Sequence, residues 1–294
     1  MKIRIPFLAA AILFGVLPAV LLAQPAAHYV PGIEGIKGAS LPPPGFYVRD
    51  YTVVYHSTRA NDGSGNSAGP ENFDALTCAN VPRALWISDT KLLGGFVGVD
   101  GLLPLIYQSL NAGPMESHNF GIGDFFAEST LSWHLQKFDF SGGFGVWAPT
   151  GDSAAPPTTR TGAGFWTPMF TVGATWYVDA KKTWALSALN RYEFNTEQRD
   201  THVTPGQAYT LEWGLSKTVA QGIDLGAVGY FQQQVTANSG APSSSRSSVA
   251  AVGPEINLMI PNAKLFVSLR YNYEFMAESR AQGQTFALTL TKPF

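Results

Sequence analysis

From Phe46 to the C-terminus, apolar and polar residues alternate with a period of two in one segment after another. In residues 264–276 the odd positions from Leu265 to Phe275 are all apolar, while serine, arginine, asparagine and glutamate occupy even positions. Residues 184–195 and 223–235 show the same alternation. Because neighbouring side chains of a β-strand point to opposite faces, this pattern predicts strands with one apolar and one polar face.

The alternating segments predict an all-β chain of about twelve strands. Connections after the odd-numbered strands are long and polar, as at residues 57–71 and 196–207, whereas those after even-numbered strands are short, as at 179–182 and 220–222. This asymmetry is typical of outer-membrane barrels, so we predict a closed antiparallel transmembrane β-barrel with long outer loops and short periplasmic turns. The predicted strands are residues 46–56, 72–88, 95–108, 121–134, 137–149, 165–178, 183–195, 208–219, 223–236, 248–260, 264–276 and 284–294.

The ends of the predicted strands carry two further signals of a membrane barrel. Aromatic pairs such as Phe46-Tyr47, Phe165-Trp166 and Trp176-Tyr177 lie near strand ends, where amphipathic rings meet lipid headgroups. The last strand is amphipathic and closes on Phe294, which resembles the signal by which outer-membrane proteins are inserted. We therefore expect two partners, the barrel-assembly machinery and outer-membrane lipids, and localisation in the bacterial outer membrane after export to the periplasm.

The N-terminal residues divide into a leader and a lead-in to the barrel. Residues 1–23 combine Lys2 and Arg4 with a following apolar stretch and a small residue at its end, which predicts a secretory signal peptide. An N-terminal anchor helix is the alternative, because the stretch approaches the length of a membrane span. Residues 24–45 are rich in proline and glycine and predict a lead-in that could fold into the lumen as a plug. Residues 46–294 form the predicted barrel.

Composition agrees with a membrane barrel and excludes other classes of protein. Charged residues make up 14% of the chain, against the roughly 25% usual for soluble domains. The net charge is −2 and there is no run of basic residues, so the sequence does not predict nucleic-acid binding. The single cysteine, Cys78, has no partner for an internal disulfide and predicts a small buried or lipid-facing residue.

Eight sequence blocks spread over nearly the whole predicted mature chain point to a known family. They are HYVPGIEGIKGASLPPPGFYVRDY (28–51), WISDTKLLGG (86–95), GIGDFF (121–126), APTGD (148–152), GFWTPMFTVGATWYVD (164–179), YEFNTEQ (192–198), VTPGQAYTLEWGLSK (203–217) and GAVGYFQQQVT (226–236). Together they resemble the family named for the meta pathway of phenol degradation. The resemblance implies an outer-membrane, transporter-like barrel, often encoded beside aromatic catabolism, and it does not imply an enzymatic step.

The sequence carries no residue pattern typical of catalysis, metal binding or cofactor binding, and we predict none of the three. The five histidines lack the spacing of a metal site, and Gly121-Ile-Gly123 lacks the rest of a nucleotide-binding fingerprint. Ser132 and His134 share one strand face, which leaves a lipid hydrolase as an alternative function. A structural or adhesive barrel that presents its long loops is another alternative.

The predicted function is that of a channel for passive passage of small, aromatic or hydrophobic compounds. If the apolar strand faces meet lipid, the polar rows project into the lumen, where charges of both signs can pair across it or contact a solute. The candidate lumen-lining residues are Glu128, His134, Arg191, Glu193, Glu212, Asp224, Gln232, Gln234, Glu255, Asn257, Arg270, Asn272 and Glu274.

Overall fold

The computed structural model describes residues 27–153, 155, 158–241 and 245–294, so the predicted signal peptide lies outside the described residues. No helix in these ranges is long and apolar enough to cross a membrane. The strands are β1 (Gly45–Ala60), β2 (Asp74–Leu92), β3 (Gly95–Leu102), β4 (Leu105–Ala112), β5 (Met115–Ile122), β6 (Phe125–His134), β7 (Phe138–Ala148), β8 (Thr167–Tyr177), β9 (Trp184–Glu193), β10 (Ala208–Ala220), β11 (Ile223–Gln234), β12 (Ser248–Ile260), β13 (Leu265–Glu278) and β14 (Ala281–Pro293).

All strands belong to one antiparallel sheet that closes on itself. From β6 to β14 each strand pairs with the next in sequence, and β1 then pairs with both β14 and β2. The long strand β2 pairs with β3 along one half and with β4 along the other, so β3 and β4 share one position in the wall. Strands β5 and β6 share the next position in the same way. The predicted closed barrel of about twelve strands is confirmed.

Residues 105–122 differ from the sequence prediction, which placed a connection in their middle. They form the hairpin β4 and β5, whose turn contains Gly113 at φ 63°. The alternation is weak there because the outward positions of β5 include the polar residues Glu116 and His118. Pro104, which has no N–H for a sheet ladder, separates β3 from β4.

The two faces of the wall have opposite polarity. On β8, Phe170 and Val172 are 51% and 64% exposed, whereas Thr171 between them is 6% exposed. On β13, Leu269 is exposed and Arg270 beside it is buried. An apolar outer surface around a polar interior is the reverse of a soluble protein and fits a barrel that is surrounded by lipid.

Candidate binding site in the barrel lumen

Residues 27–44, which we call the N-terminal segment, contact inward-facing side chains of many strands and therefore lie inside the barrel. The backbone N–H of Tyr29 donates to the Glu193 carboxylate over 3.0 Å. The backbone N–H of Ile36 donates to Glu255 over 2.8 Å. Because Glu193 is on β9 and Glu255 is on β12, the segment is anchored across the lumen.

Gly35 lets the segment approach the wall closely. Its backbone has φ +72°, a left-handed conformation that glycine adopts without strain. A Cβ atom at this position would lie 2.2 Å from Oε2 of Glu255, closer than any side chain can pack. The left-handed backbone and the contact with β12 therefore both favour glycine here.

Glu34 is the charged centre of the N-terminal segment. Its carboxylate lies 2.9 Å from Nη1 of Arg83, 3.1 Å from Nη1 of Arg49 and 3.3 Å from Nη2 of Arg191. The Glu34 side chain is 7% exposed. These four residues, which we call the Glu34 clamp, join the segment to β1, β2 and β9.

The clamp keeps Glu34 ionised. Burial alone would raise the pKa of its carboxyl, but the nearby guanidinium groups of Arg83, Arg49 and Arg191 outweigh burial and lower the pKa from 4.5 to about 2. Each charge-assisted contact is stronger than a neutral hydrogen bond. The segment is therefore held most firmly at neutral pH.

We expect the channel conductance to rise as the pH falls from about 4.5 to about 2. Because the pKa of Glu34 is lower in the folded protein than in the unfolded chain, the stabilisation is complete above pH 4.5 and is lost as the carboxylate binds a proton. Conductance in planar bilayers, followed from neutral to acid pH, measures this release. Glu34→Gln has no carboxyl to protonate and should flatten the profile. An identical acid response in that variant would contradict the prediction.

His28 anchors the start of the N-terminal segment. Its Nε2 lies 2.9 Å from Oδ2 of Asp124, and its Nδ1 lies 2.7 Å from Oγ1 of Thr167. The imidazole stacks on the Trp147 ring at a centroid distance of 5.6 Å. Asp124 also accepts the backbone N–H of Ala163 over 2.7 Å, so the same carboxylate fixes the segment and the loop between β7 and β8.

The part of the N-terminal segment before Glu34 forms one side of a cavity of about 450 Å³, which we call the outer cavity. The outer halves of β1, β2 and β4 form most of its wall, and the loop between β7 and β8 contributes further residues. Its volume is in the range of small-molecule sites. The apolar lining includes Ile33, Val53, Phe73, Ala79, Val81, Leu102, Ile106, Leu110, Phe126 and Trp147. The polar lining includes Gln108, Arg160, Gln232, Glu274 and Arg280.

Most of the candidate lumen residues are buried in the interior, where many hold the N-terminal segment. Arg191 Nη1 lies 2.7 Å from Glu212, and Gln232 donates to the backbone carbonyl of Tyr29 over 2.9 Å. Asp224, which is partly buried, forms an ion pair with Lys37 at 2.7 Å. The buried candidates are Glu128, Arg191, Glu193, Glu212, Gln232, Gln234, Glu255, Arg270, Asn272 and Glu274.

The remaining candidates have different surroundings. Asn257 is partly buried on β12, and its Oδ1 has no hydrogen-bond partner among the described residues. His134 is at the end of β6, exposed, with Nδ1 3.2 Å from Oδ1 of Asp139. Ser132 Oγ is buried and has no partner in the described part of the chain, so His134 does not form the hydrogen bond that a nucleophile and its base would share.

A family model gives the chain its relationship to known proteins. The family described as "putative MetA-pathway of phenol degradation" matches residues 57–290. The chain belongs to this family. The match covers most of the barrel. It confirms the family resemblance that the eight sequence blocks indicated. A search of the curated proteins finds no match.

Solved structures share the fold of this phenol-degradation family member. An outer-membrane channel from Pseudomonas putida F1 is similar with a TM-score of 0.78 and 14% identity, and the match covers 90% of this chain and 100% of that one. The translocator domain of the autotransporter NalP from Neisseria meningitidis gives a TM-score of 0.52 at 12% identity, with coverages of 88% and 91%. The beta domain of the Bordetella autotransporter BrkA gives 0.51 at 10% identity, with coverages of 85% and 99%. The protein is a bacterial outer-membrane β-barrel, as predicted.

Proposed function

We propose that the barrel is a passive channel for small apolar compounds, above all aromatic ones. The observation that carries this proposal is the outer cavity, whose wall is largely apolar although the lumen around it is charged. A channel for hydrated solutes has a polar wall, whereas aliphatic and aromatic side chains such as Val53, Phe73 and Leu110 favour a solute that loses water on entry. The family description, which names phenol degradation, supports an aromatic solute. The similar Pseudomonas putida protein, an outer-membrane channel, supports a channel function.

The N-terminal segment controls the route through the barrel in this proposal. Its first residues border the outer cavity, and its later residues continue towards the periplasmic rim. Ser40 lies 3.4 Å from Tyr177 at the periplasmic end of β8. A solute in the outer cavity therefore passes this segment on its way to the periplasm.

Filling the outer cavity should abolish selective transport of aromatic solutes. Ala79→Trp places a large ring inside the cavity, where Ala79 faces the lumen from β2. Entry into liposomes of phenyl glucoside and of methyl glucoside would be compared, because these neutral solutes differ only in the aromatic group. We expect the natural barrel to admit the phenyl compound faster and Ala79→Trp to lose that preference.

The matched control is Ala84→Trp, which changes the same residue type on the same strand. Ala84 is exposed on the outer face of β2, so its replacement should leave the phenyl preference intact. If methyl glucoside enters liposomes with the natural barrel faster than phenyl glucoside does, the barrel is a general porin and the proposal is contradicted. A phenyl preference that survives Ala79→Trp would exclude the outer cavity as the route.

A further inference from the structure

Arg160 is a buried arginine whose side chain is incompletely hydrogen-bonded within the described part of the chain. Arg160 is in the loop between β7 and β8, is 7% exposed and lines the outer cavity. Its Nε and Nη1 atoms are buried and have no hydrogen-bond partner among the described residues. Burying a charged group without a partner is costly, so a buried guanidinium beside a cavity is suited to an anion that enters that cavity.

The loop holds Arg160 in place on both sides. Thr159 Oγ1 lies 2.8 Å from Ser117 Oγ on β5. Thr161 donates to the backbone carbonyl of Ile122, also on β5, over 2.9 Å. Because both neighbours of Arg160 are anchored to one strand, the loop that carries Arg160 is ordered before any solute arrives, which lowers the entropic cost of binding.

Other arginines of the outer cavity already have carboxylate partners. Arg83 donates to Asp100 through two nitrogens, at 2.8 and 2.9 Å. Arg191 lies 2.7 Å from Glu212. Arg160 forms no ion pair with a described residue. In this it differs from Arg83 and Arg191, whose ion pairs link strands of the barrel wall.

Three of the carboxylates that line the outer cavity have hydrogen-bond or ion-pair partners. Glu34 is held by the clamp, and Asp124 lies against His28. Glu128 lies 3.6 Å from Nη2 of Arg83 and accepts a hydrogen bond from Thr171 over 2.7 Å. An anion that enters the cavity therefore meets the Arg160 guanidinium, which has no carboxylate partner among the described residues.

We propose that Arg160 binds the acidic group of a small aromatic acid whose ring lies against the apolar wall of the outer cavity. This inference rests on the proposed function and names the substrate class of the same site. A planar guanidinium matches a carboxylate or sulfonate through two parallel hydrogen bonds. Phe73, Ile106 and Leu110 supply apolar surface for the ring in the same cavity, and about 450 Å³ accommodates a one-ring acid.

The test uses two aromatic ions of opposite charge, benzenesulfonate and trimethylphenylammonium, with the full-length refolded barrel. We expect benzenesulfonate to bind and to enter liposomes faster than the cation. Arg160→Gln should weaken benzenesulfonate binding about tenfold or more, because a hydrogen bond to a charged group is lost. Arg160→Lys keeps the charge without the planar fork and should give an intermediate affinity.

The matched control is Arg199→Gln, which removes an exposed arginine from the loop between β9 and β10. It should leave benzenesulfonate affinity unchanged, and heat-modifiable gel mobility checks the fold of every variant. Equal entry of the two ions, or full affinity in Arg160→Gln, would overturn the inference. Because the glucoside comparison contains no charged solute, its outcome tests the apolar channel separately from the preference for an acid.

Discussion

Removal of residues 24–38 should raise the conductance of the barrel severalfold in planar bilayers. These residues include the part of the N-terminal segment that carries His28, Tyr29, Glu34 and Lys37, all of which bind side chains of the lumen. Without them, the interior of a twelve-stranded barrel is open to water and ions. The space between charged walls then conducts, because strand number alone does not close a barrel of this size.

The barrel should remain folded after this removal. Its strands stay paired around the wall, and β1 closes the sheet by pairing with β2 and β14 independently of the removed residues. Lumenal charges such as Glu193 and Glu255 lose their partners from the segment, but water that enters the lumen solvates them. A synthetic peptide of residues 24–38, added in solution, should lower the conductance again. Unchanged conductance in a barrel that keeps its heat-modifiable mobility would show that the segment does not obstruct the lumen.

The sequence predicts the wall of this protein well because lipid imposes a period of two on every strand. The segment 248–260 was predicted with the bounds of β12, and 223–236 differs from β11 only at its end. Alternation also placed Glu212 and Glu274 among the candidate lumen residues, because each lies between two apolar neighbours. Where the outer face becomes polar, as in β5, the pattern fades and the hairpin was missed.

The candidate site was harder to predict because it is assembled by contacts far apart in sequence. Arg83 was missed because its inward neighbours Val81 and Leu85 are apolar, so the inner face of β2 lacks the polar signal of other strands. Glu34 gave no periodic signal, since it lies in an irregular segment whose partners follow much later in the chain. Arg160 lies in a loop, and only the three-dimensional structure shows that it is buried beside a cavity.

Glu34→Ala should release the N-terminal segment without removing it. Loss of one partner from a buried ion pair lowers the free energy of unfolding by about 3–5 kcal/mol. Glu34 forms ion pairs with Arg49, Arg83 and Arg191. We expect the lower end of that range, because Arg83 keeps Asp100 and Arg191 keeps Glu212. The expected results are higher conductance at neutral pH and faster proteolytic cleavage within the segment.

The control for Glu34→Ala is Glu197→Ala, which removes an exposed carboxylate whose contact, with His202, lies at the surface. An exposed pair of this kind contributes little to stability, so this variant should conduct like the natural protein. Glu34→Gln keeps part of the hydrogen bonding, so its conductance should lie between those of Glu34→Ala and Glu197→Ala. If Glu34→Ala leaves both conductance and cleavage unchanged, the backbone hydrogen bonds to Glu193, Glu212 and Glu255 are sufficient to hold the segment. The clamp would then determine the ionisation of Glu34 without controlling the channel.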